Sequence, residues 1–96
     1  MNHKAEATAL IKSKPGKEAE LKSAILDLIE ETVKEPGCEL FKIFQHESNP
    51  QEFTLWEVFT DQSALQEHLE KSYTLNFFSL ELTESISAIH HRQLSR

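Results

Sequence analysis

Ala5, Ala7, Ala9 and Ile11 alternate with Glu6, Thr8, Leu10 and Lys12. This period of two predicts a β-strand that ends at the Lys14-Pro15-Gly16 break. Leu21, Ile25, Leu28, Ile29 and Val33 follow at spacings of three and four, laying one apolar stripe along a helix from about Lys17 to Lys34. Pro36-Gly37 stops it. Period two then returns twice. From Cys38 to His46, Leu40 and Phe44 point one way and Phe41 and Ile43 the other; from about Glu52 to Phe59, Phe53, Leu55 and Phe59 oppose Trp56 and Val58. The polar run Glu47-Ser48-Asn49-Pro50-Gln51 between them is turn chemistry, so the two strands pair antiparallel. Thr60 or Asp61 caps a second helix, on whose first turns Ala64, Leu65, His68 and Leu69 share a face. Tyr73, Phe77, Phe78, Leu80 and Leu82 predict a short aromatic-rich helical piece after it. Ser85 to Leu94, with Ile86, Ala88 and Ile89, is the last strand.

The order is β-α-β-β-α-β, the split βαβ pattern of a ferredoxin-like α+β domain, with both helices on one face of a four-stranded antiparallel sheet. Two helices cover only one face of such a sheet. The two central strand segments are apolar on both sides, however, and a large apolar face left in water invites aggregation. A homodimer packed through the second sheet face is therefore expected, with a cavity between sheet and helices or between the sheets. At 96 residues the chain has room for a single domain, residues 1–96.

Composition narrows the partners. Hydrophobic residues make up 39% of the chain, enough for a core. The formal charge of −6, with no Lys/Arg cluster among aromatics, argues against nucleic acid. Both glycines adjoin prolines, so no phosphate-cradling loop is available. No apolar run reaches the roughly 20 residues that span a membrane, and Met1-Asn2-His3-Lys4-Ala5-Glu6 lacks the apolar core of a signal peptide. A cytoplasmic location without membrane association is the expectation. The single cysteine, Cys38, has no intrachain partner and reads as a buried structural thiol. No metal site is expected, because His90 and His91 point to opposite faces of a strand and His3, His46 and His68 lie on separate elements.

Four motifs in order, Lys14-Pro15-Gly16-Lys17, Glu35-Pro36-Gly37-Cys38, Leu55-Trp56-Glu57 and Asp61-x-x-Ala64-Leu65-x-x-His68, give a chain that resembles the antibiotic biosynthesis monooxygenase domain family over roughly residues 5 to 94. The family includes small cofactor-free quinol and anthrone monooxygenases, an autoinducer-processing isomerase and, more remotely, heme-degrading enzymes. The resemblance implies a dimeric ferredoxin-like α+β barrel. Two positions depart from the pattern. Where many members carry Pro-His after the helix histidine, this chain has Ser72-Tyr73, and where heme-degrading members carry Trp before the second helix it has Phe59. Heme is accordingly not expected.

What the resemblance implies is an oxygenase without flavin or metal, in which a deprotonated quinol, anthrone or related phenol supplies the electrons to molecular oxygen. The protein then provides a dry apolar pocket, a base, and donors for the developing anion. His68 is the candidate base, since its reference pKa of about 6.5 suits proton transfer at neutral pH; the alternative is a half-buried helix histidine bonded to a carbonyl. Tyr73 is the candidate donor to a substrate oxygen, against ordinary packing at the core rim. Trp56, Phe41, Phe44, Phe77 and Phe78 are candidates to line a site for a flat ring, against simple core roles. Glu57 interrupts an apolar strand, which an ion pair with Lys42 or Arg92 would explain. Two other readings remain open: a non-catalytic dimer that binds a small apolar or aromatic metabolite or merely stabilises a complex, and an isomerase of a small carbonyl metabolite with His68 as proton carrier.

Overall fold

The computed structural model describes residues 3–96. Seven elements follow in order: β1 (Ala5–Ser13), α1 (Glu18–Thr32), β2 (Cys38–Gln45), β3 (Glu52–Phe59), α2 (Gln62–Glu70), α3 (Ser72–Ser79) and β4 (Thr83–His91). The strands form one antiparallel sheet in the order β2-β3-β1-β4, the ferredoxin-like arrangement that the order of elements predicts. The last strand ends at His91, short of Leu94, which is 92% exposed.

Alternation decides which side chains meet the helices. On β1, Ala5, Ala7, Ala9, Ile11 and Ser13 are buried. Register pairs Ala9 with Leu55 and Ala88, and Phe41 with Glu57, so these side chains share that face. Leu21, Ile25 and Leu28 of α1 close over it with Leu65 of α2 and Phe77 of α3. The central strand β1 thus contributes mostly methyl groups where its neighbours contribute rings. That shortage of volume leaves a space between sheet and helices.

Two local devices set the geometry of α2. Asp61 is its N-cap, with Oδ1 accepting from the Ala64 backbone N–H at 2.8 Å. The corner between α1 and β2 packs against the same turn, close enough that a Cβ at Gly37 would lie 2.5 Å from the Ala64 Cβ. Only glycine fits there without displacement. Gly37→Ala is therefore expected to destabilise the domain by about 1–3 kcal/mol, the usual cost of overpacking, measured by denaturant unfolding. An unchanged unfolding midpoint would show that the corner yields freely.

Candidate active site: a carboxylate-bound histidine at an apolar cavity

His68 sits in the last turn of α2, not its first turns, and it is 3% exposed. The capped start of α2 fixes the phase of the helix, which turns Leu65 and His68 inward together. The imidazole lies between Phe41 and Phe59, at ring-centroid distances of 5.5 Å and 5.1 Å. Its Nδ1 is 2.8 Å from Oε2 of Glu35, itself buried at the corner after α1. The partner of the histidine is thus a carboxylate, not a carbonyl. Tyr73, at the start of α3, donates its hydroxyl proton to the same Oε2. One buried carboxylate thereby gathers residues from three segments.

This arrangement has a chemical consequence. With Nδ1 carrying the proton that faces Glu35, the lone pair of a neutral imidazole is placed on Nε2, the nitrogen left for a ligand. A histidine oriented in this way is a competent general base.

His68 lines a cavity of about 220 Å³ between the sheet and the helices. Its walls are mainly apolar, with Ala9, Ile43 and Leu55 from the sheet and Phe41, Phe77 and Phe78 supplying rings. Along β4 the cavity is bordered by Ile86, Ala88 and His90, a strand that the helices leave largely uncovered. Besides His68 and His90, two polar groups interrupt the apolar wall. Thr74 is 1% exposed, and its hydroxyl has no hydrogen-bond partner among the described residues. Glu57 projects from the middle of β3, where burial pushes its carboxyl up to about 7.

Among the aromatic candidates, Phe41, Phe77 and Phe78 stand with His68 at the cavity. Trp56 and Phe44 do not. Trp56 is 43% and Phe44 52% exposed on the opposite sheet face, because their strand positions have the parity of Lys42 and Val58. Tyr73 also departs from expectation: its hydroxyl is engaged by Glu35, and it borders a neighbouring depression with Ala24 and Leu28 instead of the cavity. Burial and the adjacent Glu35 push its phenol far above the usual range. It is a positioning residue here. Tyr73→Phe is expected to change ligand affinity at the cavity less than twofold while lowering stability by about 1.5–3 kcal/mol, the value of a hydrogen bond to a charged group. Calorimetry with a cavity ligand and a thermal melt check both parts.

The ion pair considered for Glu57 is not formed. Lys42 pairs in register with Trp56 and so lies on the other sheet face, while Arg92 lies beyond the end of β4. Cys38 is half-buried instead of buried; burial, then Glu35, pushes its thiol up, which leaves it a weak nucleophile. Among the described residues, no three His, Cys, Asp or Glu side chains converge as a metal site. Glu35 and Thr74 are not legible as site residues in the sequence. Glu35 precedes a proline at a helix end, which looks like ordinary turn chemistry, and nothing in the pattern marks Thr74.

Residues 6–80 match the antibiotic biosynthesis monooxygenase family. The chain belongs to that family. YjcS of Bacillus subtilis, an uncharacterised protein, is 37% identical over 57 residues, which are 59% of this chain and 54% of that protein. The match thus spans about half the length of that relative. PA3566 of Pseudomonas aeruginosa superposes with a TM-score of 0.92 at 22% identity, over 99% of this chain and 98% of that one. SO0527 of Shewanella oneidensis gives 0.87 at 29% identity, over 97% and 93%. A further structure, of an antibiotic biosynthesis monooxygenase, gives 0.88 at 19% identity, over 95% and 99%. No helix among the described residues is long and apolar enough to cross a membrane.

Proposed function

We propose that this family member is a cofactor-independent monooxygenase that oxidises a quinol or a related electron-rich phenol with molecular oxygen. The observation that carries the reading is the buried Glu35–His68 pair at the wall of an aromatic-lined cavity. His68 Nε2 takes the phenolic proton. The resulting phenolate passes one electron to oxygen, and the radical pair joins through a new C–O bond to a peroxide that is protonated from the imidazolium. Loss of the hydrogen on that carbon, with cleavage of the O–O bond, leaves a carbonyl and releases water. A quinol plus oxygen thus becomes a hydroxyquinone plus water, and all four electrons come from the substrate. The protein supplies orientation, a base and exclusion of water.

The reading includes a homodimer. Leu10, Phe44, Trp56 and Ile89 are all more than 40% exposed on the sheet face away from the helices. Ion pairs between Lys4 and Glu39 and between Lys12 and Glu84 lie near the ends of the strands. A second copy with the same apolar centre and charged rim is the complement such a face requires. Light scattering at micromolar concentration should give twice the 11.1 kDa chain mass; a monomer would remove the dimer from the reading.

Oxygen uptake tests the chemistry. Metal-stripped protein is offered a panel of reduced quinones and anthrones. Consumption above the autoxidation rate, with one oxygen atom from labelled oxygen in the product, is expected. Saturable binding without uptake would reassign the domain to ligand binding.

A further inference from the structure

We propose that Glu57 is the second proton-carrying group of this site, donating to the departing oxygen as the peroxide O–O bond breaks, on an uncharged hydroxylated ligand of one or two rings. The proposal rests on the oxygenase reading above. Cleaving an O–O bond heterolytically releases hydroxide, which is a poor leaving group until it is protonated. His68 cannot serve there, because it accepts the proton from carbon in the same step. A separate acid is needed, and the cavity wall contains one.

Three observations place Glu57 in that role. It lines the same cavity as His68, with no ion-pair or hydrogen-bond partner among the described residues. An unpaired carboxyl in an apolar cavity is held toward its neutral form, and burial raises Glu57 to about 7, so a large fraction carries its proton at neutral pH. The unpartnered hydroxyl of Thr74 adds a further polar point for a ligand oxygen in the same wall. Around the Glu57 carboxyl, α2 contributes His68, β4 contributes His90, and Cys38 and Glu35 lie at the start of β2 and the corner before it. In register beside it, Ala7 and Phe41 carry no charge. Among the described residues, no lysine or arginine lines the cavity.

The proton balance closes. His68 accepts the hydrogen on carbon as a proton, the electron pair forms the carbonyl, the O–O bond breaks, and the Glu57 proton converts hydroxide to water. Proton return from the imidazolium to the Glu57 carboxylate restores both groups. Size follows from the cavity: a dry cavity of about 150 Å³ accommodates benzene. At about 220 Å³ this one seats a substituted ring or a fused pair. Charge follows from Glu57 and the absence of a cation. An anionic ligand is opposed once Glu57 ionises.

The test uses Glu57→Gln, Glu57→Asp and two probes that share a naphthalene ring, neutral 2-naphthol and anionic 2-naphthoate. With a reduced naphthoquinone as substrate, wild-type kcat should fall above about pH 7. Glu57→Gln should lower kcat by about 10²-fold or more with KM little changed, and Glu57→Asp should restore part of it. In calorimetry, wild-type affinity for 2-naphthoate should fall by up to about tenfold per pH unit above 7. In Glu57→Gln that slope should vanish, and 2-naphthol should bind both proteins alike. Uptake in wild type with an unchanged kcat and alkaline limb in Glu57→Gln overturns the role of Glu57 and leaves the oxygenase reading intact. No uptake by wild type overturns the oxygenase reading and the donor step with it. A 2-naphthoate affinity in wild type that ignores pH removes Glu57 from the ligand site. Should Glu57→Gln not fold, the wild-type naphthoate profile and Glu57→Asp decide the same points.

Discussion

Replacing His68 with glutamine should lower the rate of substrate oxidation by about 10²- to 10⁴-fold, the usual loss on removing a general base. Glutamine retains an N–H able to face Glu35, but it has no basic nitrogen to turn toward the cavity. The comparison that matters is with stability. A variant that keeps the donor to a buried carboxylate should stay within about 1–2 kcal/mol of wild type, a shift of roughly 4–15 °C in melting temperature for a domain of this size. His68→Ala is a poorer test, because His68 is buried and its loss leaves the Glu35 carboxylate facing an empty space. Steady-state oxygen uptake and a thermal melt on His68→Gln together separate the two roles. Wild-type turnover in a folded His68→Gln protein would move the base to another residue.

Glu35→Ala should be the most destabilising single change at the site, by about 2–5 kcal/mol, since it strands the buried His68 and the part-buried Tyr73 hydroxyl at once. Oε2 is the acceptor for both His68 Nδ1 and the Tyr73 hydroxyl, so one truncation releases α2 and α3 from the corner that follows α1. Glu35→Gln preserves volume and one carbonyl acceptor, and should cost less than half as much. Its effect on turnover should nevertheless be severe. A neutral amide no longer stabilises the imidazolium that forms during proton abstraction, nor does it hold the tautomer with a free Nε2. Denaturant melts rank the two variants for stability, and kcat ranks them for chemistry. Equal stability of Glu35→Ala and wild type would show that the shared carboxylate contributes nothing to holding the helices.

Protonation of Glu57 also couples to folding. Its carboxyl titrates near 4.5 when unfolded and about 7 when folded. Between those values the folded chain binds more protons than the unfolded one, so stability should decline as pH rises through that window. Glu57→Gln removes this slope. A melt series from pH 4.5 to 8 measures it directly.

The chain's pattern of side chains is sufficient for the architecture, because period two and period 3.6 are local properties. The alternation of Ala5, Ala7, Ala9 and Ile11 specifies β1 and its inward face without reference to any neighbour. The same logic singles out Glu57, which lies in phase with Phe53, Leu55 and Phe59, all inward positions of β3. His68 is legible for a similar reason, three residues after the buried Leu65 on a capped helix. Local pattern does not extend to which elements meet across the core. Alternation already separates Phe44 and Trp56 from Phe41, but only the assembled fold decides which of the two sheet faces the helices cover, and it leaves those two on the far one.

Tertiary structure alone decided the chemistry of the site. Glu35 is 33 residues from His68 and 38 from Tyr73, and neither spacing has a periodic meaning. What unites them is the close approach of Gly37 to Ala64, which brings the end of α1 against the start of α2 and turns a residue before a proline into the acceptor of one buried and one part-buried donor. The cavity has the same origin. Three alanines on a central strand are ordinary as a sequence, and they leave a ligand-sized space only because helices pack above them while β4 stays uncovered. Local periodicity determined the elements and their inward faces; long-range packing determined which polar groups lost water and found each other, setting Glu35 against His68 and pushing the Glu57 carboxyl toward its neutral form.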